Sequence, residues 1–229
     1  MKYGLSYTLI TRCTGWLSRT ILHFRKTELD IIKQSFKDLD NERILDYGCN
    51  TGYFLNSIQK TYPEKHLSLC GADINPHALN YARKKYKNCT FFEITNDFFS
   101  KEQFDIIILS HVLEHVADTN SLIEGLKRLL KNNGKLIIAV PQERIRGDCT
   151  IVQLLYNWIR WRFENPHLVN YSYTDLEKLL NEHQLYIKHH RFTHFFYPFQ
   201  SNKRRLDSWS LVVFCGQKIQ KVLKSKIMS

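Results

Sequence analysis

The sequence predicts a doubly wound α/β sheet, mostly parallel, with helices on both faces and an antiparallel closing strand. Between residues 43 and 141, five strand-like apolar segments alternate with helical segments. Two of the strands, at 106–109 and 136–140, are continuous apolar runs, as is typical of parallel strands covered on both faces. In such sheets, ligands bind beyond the carboxyl ends of the strands, so candidate site residues are expected there.

The elements up to Pro141 follow from local patterns. Apolar residues at helical spacing predict one or two amphipathic helices within 5–38, with their Arg and Lys residues on a solvated face. Pro76 is suited to open a helix. Strands are predicted at 43–48, 66–74, 89–94, 104–110 and 135–141, and helices at 53–62, 77–86 and 121–130. The last helix is expected to stop at Asn132–Asn133–Gly134.

Beyond Pro141 the alternation stops. Residues 142–171 are rich in aromatic and arginine side chains, and Ser172 with Asp175 forms a capping box before a helix. Two closing strands, at 185–192 and 209–216, flank a basic, aromatic loop. We expect one domain over 1–229, made of a helical cap (1–40), a ligand-binding core (41–141), a lid segment (142–171) and closing elements with a basic tail (172–229).

Composition restricts the partners and the compartment. The chain has 229 residues, 43% of them hydrophobic, which is enough for one sizeable core. Its net charge of +11 indicates an anionic partner or cofactor. The six cysteines include no C-x-x-C pair, which disfavours structural zinc and indicates a reducing compartment. Arg12 and Arg19 interrupt the apolar N-terminal segment, which is then too short to span a membrane. We therefore expect a cytoplasmic protein, with peripheral contact to the membrane as an alternative.

Residues 43–54, RILDYGCNTGYF, place an acidic residue before a glycine turn. A phosphate loop would need G-x-x-x-x-G-K-[ST], which the sequence lacks, and the dinucleotide pattern G-x-G-x-x-G fails at its second glycine. The pattern D-x-G-x-(G/N)-x-G fits Asp46 to Gly52. A carboxylate there would repel a pyrophosphate but accept a hydrogen bond from an ammonium group, so the turn suits the amino-acid end of a ligand.

Further polar residues follow the next two strands. Asp73 ends the second strand, where a carboxylate can bind both hydroxyls of a ribose. Asn96 and Asp97 follow the third strand and can bond an adenine amino group, with Phe98 or Phe99 packing on the ring. Together these residues predict a nucleoside site.

Five stretches in this order resemble the class I S-adenosylmethionine-dependent methyltransferases, whose sheet is Rossmann-like: ILDYGCNTGYFL, GADINPHAL, FDIIILSHVLEHVAD, LKRLLKNNGKLIIAVP and HLVNYSYTDLEKLL. The resemblance covers about residues 40–141 and continues more weakly to the C-terminus. Within the class, the S-H-V-L-E-H-V stretch is similar to small-molecule O-methyltransferases, of the type 11 and type 23 methyltransferase kind.

The resemblance implies S-adenosyl-L-methionine as cofactor. Asn50 stands where the family commonly has glycine, and asparagine tolerates left-handed backbone angles, so the turn is expected to form. The implied cofactor-binding residues are Asp46, Gly48, Cys49, Asn50, Gly52, Tyr53, Phe54, Asp73, Ile74, Asn96, Asp97, Ser110 and His111.

Methyl transfer by direct displacement benefits from a base when the acceptor is a hydroxyl. His115 is the first candidate for that catalytic base, and His167, after Pro166, is the second. The alternative for His115 is that it caps the chain or packs against the next helix. Glu114 and His115 resemble part of a metal site in some quinone methyltransferases, but His111 replaces the expected carboxylate, and no metal is predicted.

The sequence allows several interpretations of the methyl acceptor and of the binding partners. The aromatic and arginine residues of 142–171 suit a small molecule or saccharide with anionic groups, or an aromatic acid. Basic residues at 203–205 and in the tail would also suit RNA or, through the amphipathic tail, an anionic membrane surface. No N-P-P-[YF] signature follows the fourth strand, so nucleic acid is not the expected acceptor. A non-catalytic binding protein on the same fold is the remaining alternative.

Overall fold

The computed structural model describes residues 24–95, 98–100, 103–142, 168–196 and 198–217. The helices are α1 (Phe24–Gln34), α2 (Tyr53–Thr61), α3 (Pro76–Lys85), α4 (Thr119–Leu129) and α5 (Tyr173–Glu182). The strands are β1 (Arg43–Tyr47), β2 (Ser68–Asp73), β3 (Thr90–Glu93), β4 (Phe104–Ser110), β5 (Leu130–Pro141), β6 (Leu185–His194), β7 (Gln200–Ser201) and β8 (Ser208–Gln217). Two short 3₁₀ turns cover Phe98–Ser100 and Leu113–His115.

The eight strands form one sheet in the order β3-β2-β1-β4-β5-β8-β6-β7. Strands β1 to β5 pair in parallel, and β8 lies antiparallel between β5 and β6. This confirms the Rossmann-like fold with its antiparallel closing strand. The strand order reverses beside β1, whose neighbours are β2 and β4, so the ligand crevice is expected at the carboxyl ends of these three strands.

Both faces of the sheet are covered. Ile107 of β4 belongs to the hydrophobic cluster shared with α4 and α5, whereas its neighbour Ile106 belongs to the cluster shared with α1, α2 and α3. Both side chains are fully buried. Each face of β4 packs under helices, which explains its continuous apolar run. The prediction of a strand buried on both faces is confirmed.

Local capping signals are confirmed at two helices. Asn75 caps α3 by accepting a hydrogen bond from the His77 N–H (3.1 Å), and Pro76 occupies the first helical position. At α5, the Ser172 hydroxyl accepts from the Asp175 N–H (3.2 Å) while the Asp175 carboxylate accepts from the Ser172 N–H (2.9 Å). The predicted capping box is thus complete.

The predicted end of α4, at residue 130, agrees with the structure within one residue, but the segment after it differs from the predicted C-cap. The helix ends at Leu129, and the next residue, Leu130, already pairs with Phe104 of β4. The Asn-Asn-Gly sequence lies instead in an irregularity of β5, where Asn133 has a φ of 68°. The side chain of Leu130 is buried in the sheet, so tertiary packing ends the helix before the local turn signal is reached.

Residues 1–23, 143–167 and 218–229 lie outside the described residues, and with them most of the predicted cap, lid and basic tail. Of the predicted N-terminal helices, the described part contains α1. The described ends of the lid segment lie together, because the buried Gln142 side chain donates a hydrogen bond to the Tyr171 carbonyl (2.8 Å). No helix in the described part of the chain is long and apolar enough to span a membrane.

Candidate functional site

The glycine turn connects β1 to α2 through three left-handed residues. Gly48, Asn50 and Gly52 have φ values of 83°, 48° and 71°. The prediction that Asn50 accommodates this geometry is confirmed. A Cβ atom on Gly48 would overlap the side chain of Val112, which follows β4, so the turn packs tightly against the β4 end of the crevice.

Asp46 lies directly before this turn and is almost completely buried, at 4% exposure. Its carboxylate accepts no hydrogen bond from the described residues. Burial, followed by repulsion from Asp73, raises the pKa of Asp46 to about 7, although the charge of Arg25 opposes the shift. A buried carboxylate without a donor is costly, and a ligand ammonium group would supply both the donor and the opposite charge.

Asp73, at the end of β2, joins two loops of the crevice. Its carboxylate accepts hydrogen bonds from the N–H of Asn50 (2.7 Å) and the N–H of Asn75 (2.8 Å). Burial raises its pKa although these bonds oppose the shift. Next to it, Ile74 is 49% exposed, an apolar surface suited to a flat ring, and Tyr53 at the start of α2 is also exposed.

Several predicted cofactor residues turn away from the crevice or cannot be placed. The side chains of Cys49 and Phe54 are buried in the hydrophobic cluster under α1 to α3, so only their backbone is available to a ligand. Asn96 and Asp97 lie outside the described residues. The rings of Phe98 and Phe99 pack against Tyr47, with centroids 5.8 and 6.1 Å away, and thus support the wall of the site.

The carboxyl end of β4 is held by a residue that sequence reasoning missed. Glu28 of α1 is fully buried and accepts hydrogen bonds from the Ser110 hydroxyl (3.0 Å) and from Arg25 (2.9 Å). Its second oxygen lies 2.8 Å from Nε2 of His111. The expectation of a solvated face is therefore wrong for Arg25, which bonds inward to Glu28.

His111 sits between two buried carboxylates. Its Nδ1 lies 3.4 Å from Glu114 Oε1, on the side opposite Glu28. Burial and Arg25 oppose a charge on the ring, but Glu28 and Glu114 outweigh them and raise the pKa of His111 to about 9. Conversely, burial would raise the pKa of Glu28, but Arg25 and His111 hold it well below its usual range. Its Nε2 is bound to Glu28 and the raised pKa favours the protonated ring, so His111 is a poor candidate for the base.

The backbone of His111 is also unusual, since its φ is 54°. A left-handed conformation in a residue with a side chain is costly and persists where surrounding contacts impose it. The ion pairs with Glu28 and Glu114 are such contacts. They hold the bend that places Val112 against Gly48.

Of the two predicted catalytic histidines, the structure describes His115. His115 is exposed at the end of the 3₁₀ turn after β4, and its N–H donates to the Val112 carbonyl (2.9 Å). His167 lies outside the described residues. The next residue, Leu168, donates its N–H to the Glu114 carbonyl (2.7 Å), so the chain rejoins the β4 turn there. Among the described residues, no group of His, Cys, Asp and Glu side chains has an arrangement that could hold a metal ion.

The fold is Rossmann-like, and the groups at its crevice suit a nucleoside that carries an amino-acid group. The unbonded Asp46 fits the ammonium, Asp73 the ribose and Ile74 the base. A second observation supports the fit, because the side-chain oxygen of Asn50 is buried without a hydrogen-bond partner among the described residues.

A family model described as a methyltransferase domain matches residues 21–190, and the chain belongs to this family. The match confirms the resemblance of its sequence motifs to the class I S-adenosylmethionine-dependent methyltransferases. Its similarity to solved structures is one of fold. One is magnesium protoporphyrin IX methyltransferase from Synechocystis PCC 6803 with bound SAH, at TM-score 0.60 and 14% identity over 85% of this chain and 84% of the other. Another is a possible histamine N-methyltransferase from Thermotoga maritima, at TM-score 0.63 and 16% identity over 92% and 96%.

Curated relatives are similar over part of their length. A ubiquinone biosynthesis O-methyltransferase of Glaesserella parasuis is 32% identical over 135 residues, which are 54% of this chain and 56% of the relative. A malonyl-[acyl-carrier protein] O-methyltransferase of Bacillus cereus is 26% identical over 48% and 42%. A tRNA U34 carboxymethyltransferase of Nautilia profundicola is 27% identical over 62% and 54%. The chain spans about half the length of these relatives.

Proposed function

We propose that this enzyme methylates a hydroxyl oxygen of a small-molecule or glycan-linked acceptor by direct in-line displacement. The observation that carries this proposal is the difference between two histidines after β4. His111 is only 14% exposed and lies between Glu28 and Glu114, whereas His115 is exposed at the same edge of the sheet. The exposed histidine is the one that can meet an acceptor and take its proton.

In this proposal, different residues of the chain bind the cofactor, support the site and accept the proton. Bound S-adenosylmethionine supplies an electrophilic methyl group on sulfur. Asp46 holds the ammonium of that cofactor, Asp73 holds the ribose hydroxyls, and Ser110 with His111 keeps the β4 end in place. The imidazole nitrogen of His115 accepts the proton of the acceptor hydroxyl, which makes its oxygen a stronger nucleophile.

Two of the curated relatives are O-methyltransferases by name, which supports oxygen as the receiving atom. The names of these two relatives indicate different acceptors. An experiment must therefore distinguish among a small molecule, a saccharide and a carrier-bound acyl group. The four described cysteines are free thiols, and we place the enzyme in the cytoplasm, with its basic tail as an additional contact to anionic membranes.

The test is transfer of a deuterated methyl group from S-adenosylmethionine to an extract, followed by an untargeted mass search for labelled products. Mild alkali then separates carboxyl methyl esters, which release methanol, from methyl ethers on hydroxyls. His115→Gln should lower turnover at least about a hundredfold, as loss of a general base does, and leave binding of S-adenosylhomocysteine unchanged. Alkali-labile product, or full turnover by His115→Gln, would overturn the proposal.

The relative from Nautilia favours RNA as a second acceptor class. The same labelled reaction on total RNA, with and without ribonuclease, separates this alternative. If the labelled product is large and is converted to small fragments only by ribonuclease, the acceptor is RNA and the first proposal is wrong. A chain that binds S-adenosylhomocysteine but labels neither RNA nor any metabolite would instead be a binding protein on this fold.

A further inference from the structure

The loop between β6 and β8 exposes an unusual amount of apolar surface. We call residues 195–207 the β6–β8 loop; it is described apart from residue 197. Nine large hydrophobic side chains are exposed in the described part of the chain, and four of them lie in this loop. Phe196 is 71% and Leu206 84% exposed, with Phe195 and Phe199 less so. This concentration needs an explanation, since single exposed apolar residues are ordinary but a cluster is not.

The exposure of these side chains is not caused by a disordered backbone, because hydrogen bonds hold the loop in place. The Phe196 N–H donates to the Asp207 carboxylate (3.0 Å), and the Phe195 N–H donates to the Asp207 carbonyl (3.1 Å). At the base, the buried His194 ring lies within hydrogen-bond distance of the hydroxyls of Ser201 (2.8 Å) and Ser208 (3.1 Å). The backbone is therefore anchored while Phe196 and Leu206 stay mostly exposed, whereas the Phe195 ring packs edge-on against Trp209, with 5.3 Å between the ring centroids.

Cations accompany the apolar residues. Lys203 and Arg204 are exposed and form no ion pair with described residues, whereas Arg205 pairs with Asp207 (3.0 Å). The mixture of apolar tips and adjacent cations matches the surface of an anionic bilayer, where rings enter the interface and cations meet lipid phosphates. The net charge of +11 favours the same partner.

The sheet topology places this loop on the side of the active site. Strand β6 runs antiparallel to β8, and β8 runs antiparallel to β5, so β6 ends at the same edge as β4 and β5. In register, Pro141, Ser210 and Thr193 form one row across these strands. Three strand spacings separate β6 from β4, which puts the end of β6, where the loop begins, about 15 Å from the end of β4.

We propose that the β6–β8 loop is a membrane-contact surface that docks the enzyme on anionic phospholipid, with the active-site edge of the sheet facing the bilayer. Phe196 and Leu206 enter the interface, and Lys203 and Arg204 contact the headgroups. The proposal is independent of the acceptor and of the base, because it rests on the loop alone.

The test is flotation of the full-length protein with vesicles of phosphatidylcholine, alone or mixed with phosphatidylglycerol. The wild type should float with the mixed vesicles and much less with the neutral ones. Phe196→Ser with Leu206→Ser should lower the partition coefficient at least about tenfold, from the loss of two buried apolar side chains. Lys203→Glu with Arg204→Glu should lower it at least about 25-fold, since each cation near an anionic surface contributes about fivefold and the reversed charges add repulsion.

Matched controls separate this surface from general stickiness and net charge. Tyr186→Ser removes an exposed ring from the opposite end of β6, and Lys84→Glu with Lys87→Glu makes the same charge change at the far end of α3. Both should float like the wild type. Unchanged binding of S-adenosylhomocysteine shows that each variant is folded.

Three outcomes overturn the proposal. The wild type does not float, or the Phe196/Leu206 variant floats as well as the wild type, or the α3 charge control loses as much binding as the loop charge variant. Loss of a dimer in size-exclusion chromatography, without loss of flotation, would assign the patch to a second copy of the chain instead.

Discussion

Asp46→Asn should make the ligand-free enzyme more stable at pH 8 while it weakens cofactor binding. The reason is the energetic cost of an ionised, buried carboxylate without a donor among the described residues. Its pKa is raised from 3.8 to about 7 in the folded chain, with burial as the main cause. Between these values the folded state binds more protons than the unfolded state, so stability falls as pH rises from about 4 through 7.

The magnitude follows from the same shift. About three pKa units correspond to about 4 kcal/mol of lost stability once Asp46 is ionised, at pH 8. Asparagine removes the charge but leaves a buried amide without partners, which costs about 1–3 kcal/mol. The net expectation at pH 8 is a gain of about 1–3 kcal/mol in the free energy of unfolding. At pH 5, where Asp46 is protonated, the gain should disappear.

Urea unfolding of both proteins at pH 5 and pH 8, followed by circular dichroism, measures the stability change. Titration calorimetry with S-adenosylhomocysteine measures binding, which should weaken at least about a hundredfold with the loss of a charge-assisted hydrogen bond. The wild type should bind most tightly between about pH 7 and 8, where Asp46 has lost its proton and the ligand amine has kept its own. A destabilised Asp46→Asn at pH 8, with unchanged ligand affinity, would refute the reasoning and make Asp46 a structural residue.

Other perturbations test the support around the crevice. Glu28→Gln should destabilise the protein by about 3–5 kcal/mol in urea unfolding, because it removes one partner of a buried ion pair with His111; stability unchanged from the wild type would contradict the pairing. From the same pair, stability should fall as pH rises from about 6.5 to about 9, because the folded state keeps the His111 proton that the unfolded state has lost, and His111→Gln should flatten that decline. Gly48→Ala forces a Cβ onto Val112 at a positive φ and should both lower the thermal midpoint and weaken S-adenosylhomocysteine binding. Ser172→Ala removes one half of the capping box and should cost about 1 kcal/mol without an effect on binding, which serves as a contrast to Gly48.

Much of the fold and part of the site were accessible from the sequence because they depend on neighbours along the chain. A continuous apolar run such as that of β4 indicates a strand buried on both faces, and a capping box reports its own helix start. The acid-before-glycine turn is equally local. The left-handed backbone of Asn50 could be predicted from the sequence because it follows from the spacing of one turn, and the role of Asp46 stays a prediction from the same spacing.

Only the tertiary structure decided the state of charge within the site. Glu28 lies 82 residues from Ser110 and 83 from His111, and nothing in an amphipathic helix marks one acid as the buried one. The same applies to the end of α4, where pairing of Leu130 with Phe104 prevails over a local turn signal. Sequence alone therefore determined the class of protein and the form of its glycine turn, whereas burial and long-range pairing decided that His111 lies between two carboxylates and that Asp46 is buried without a donor among the described residues.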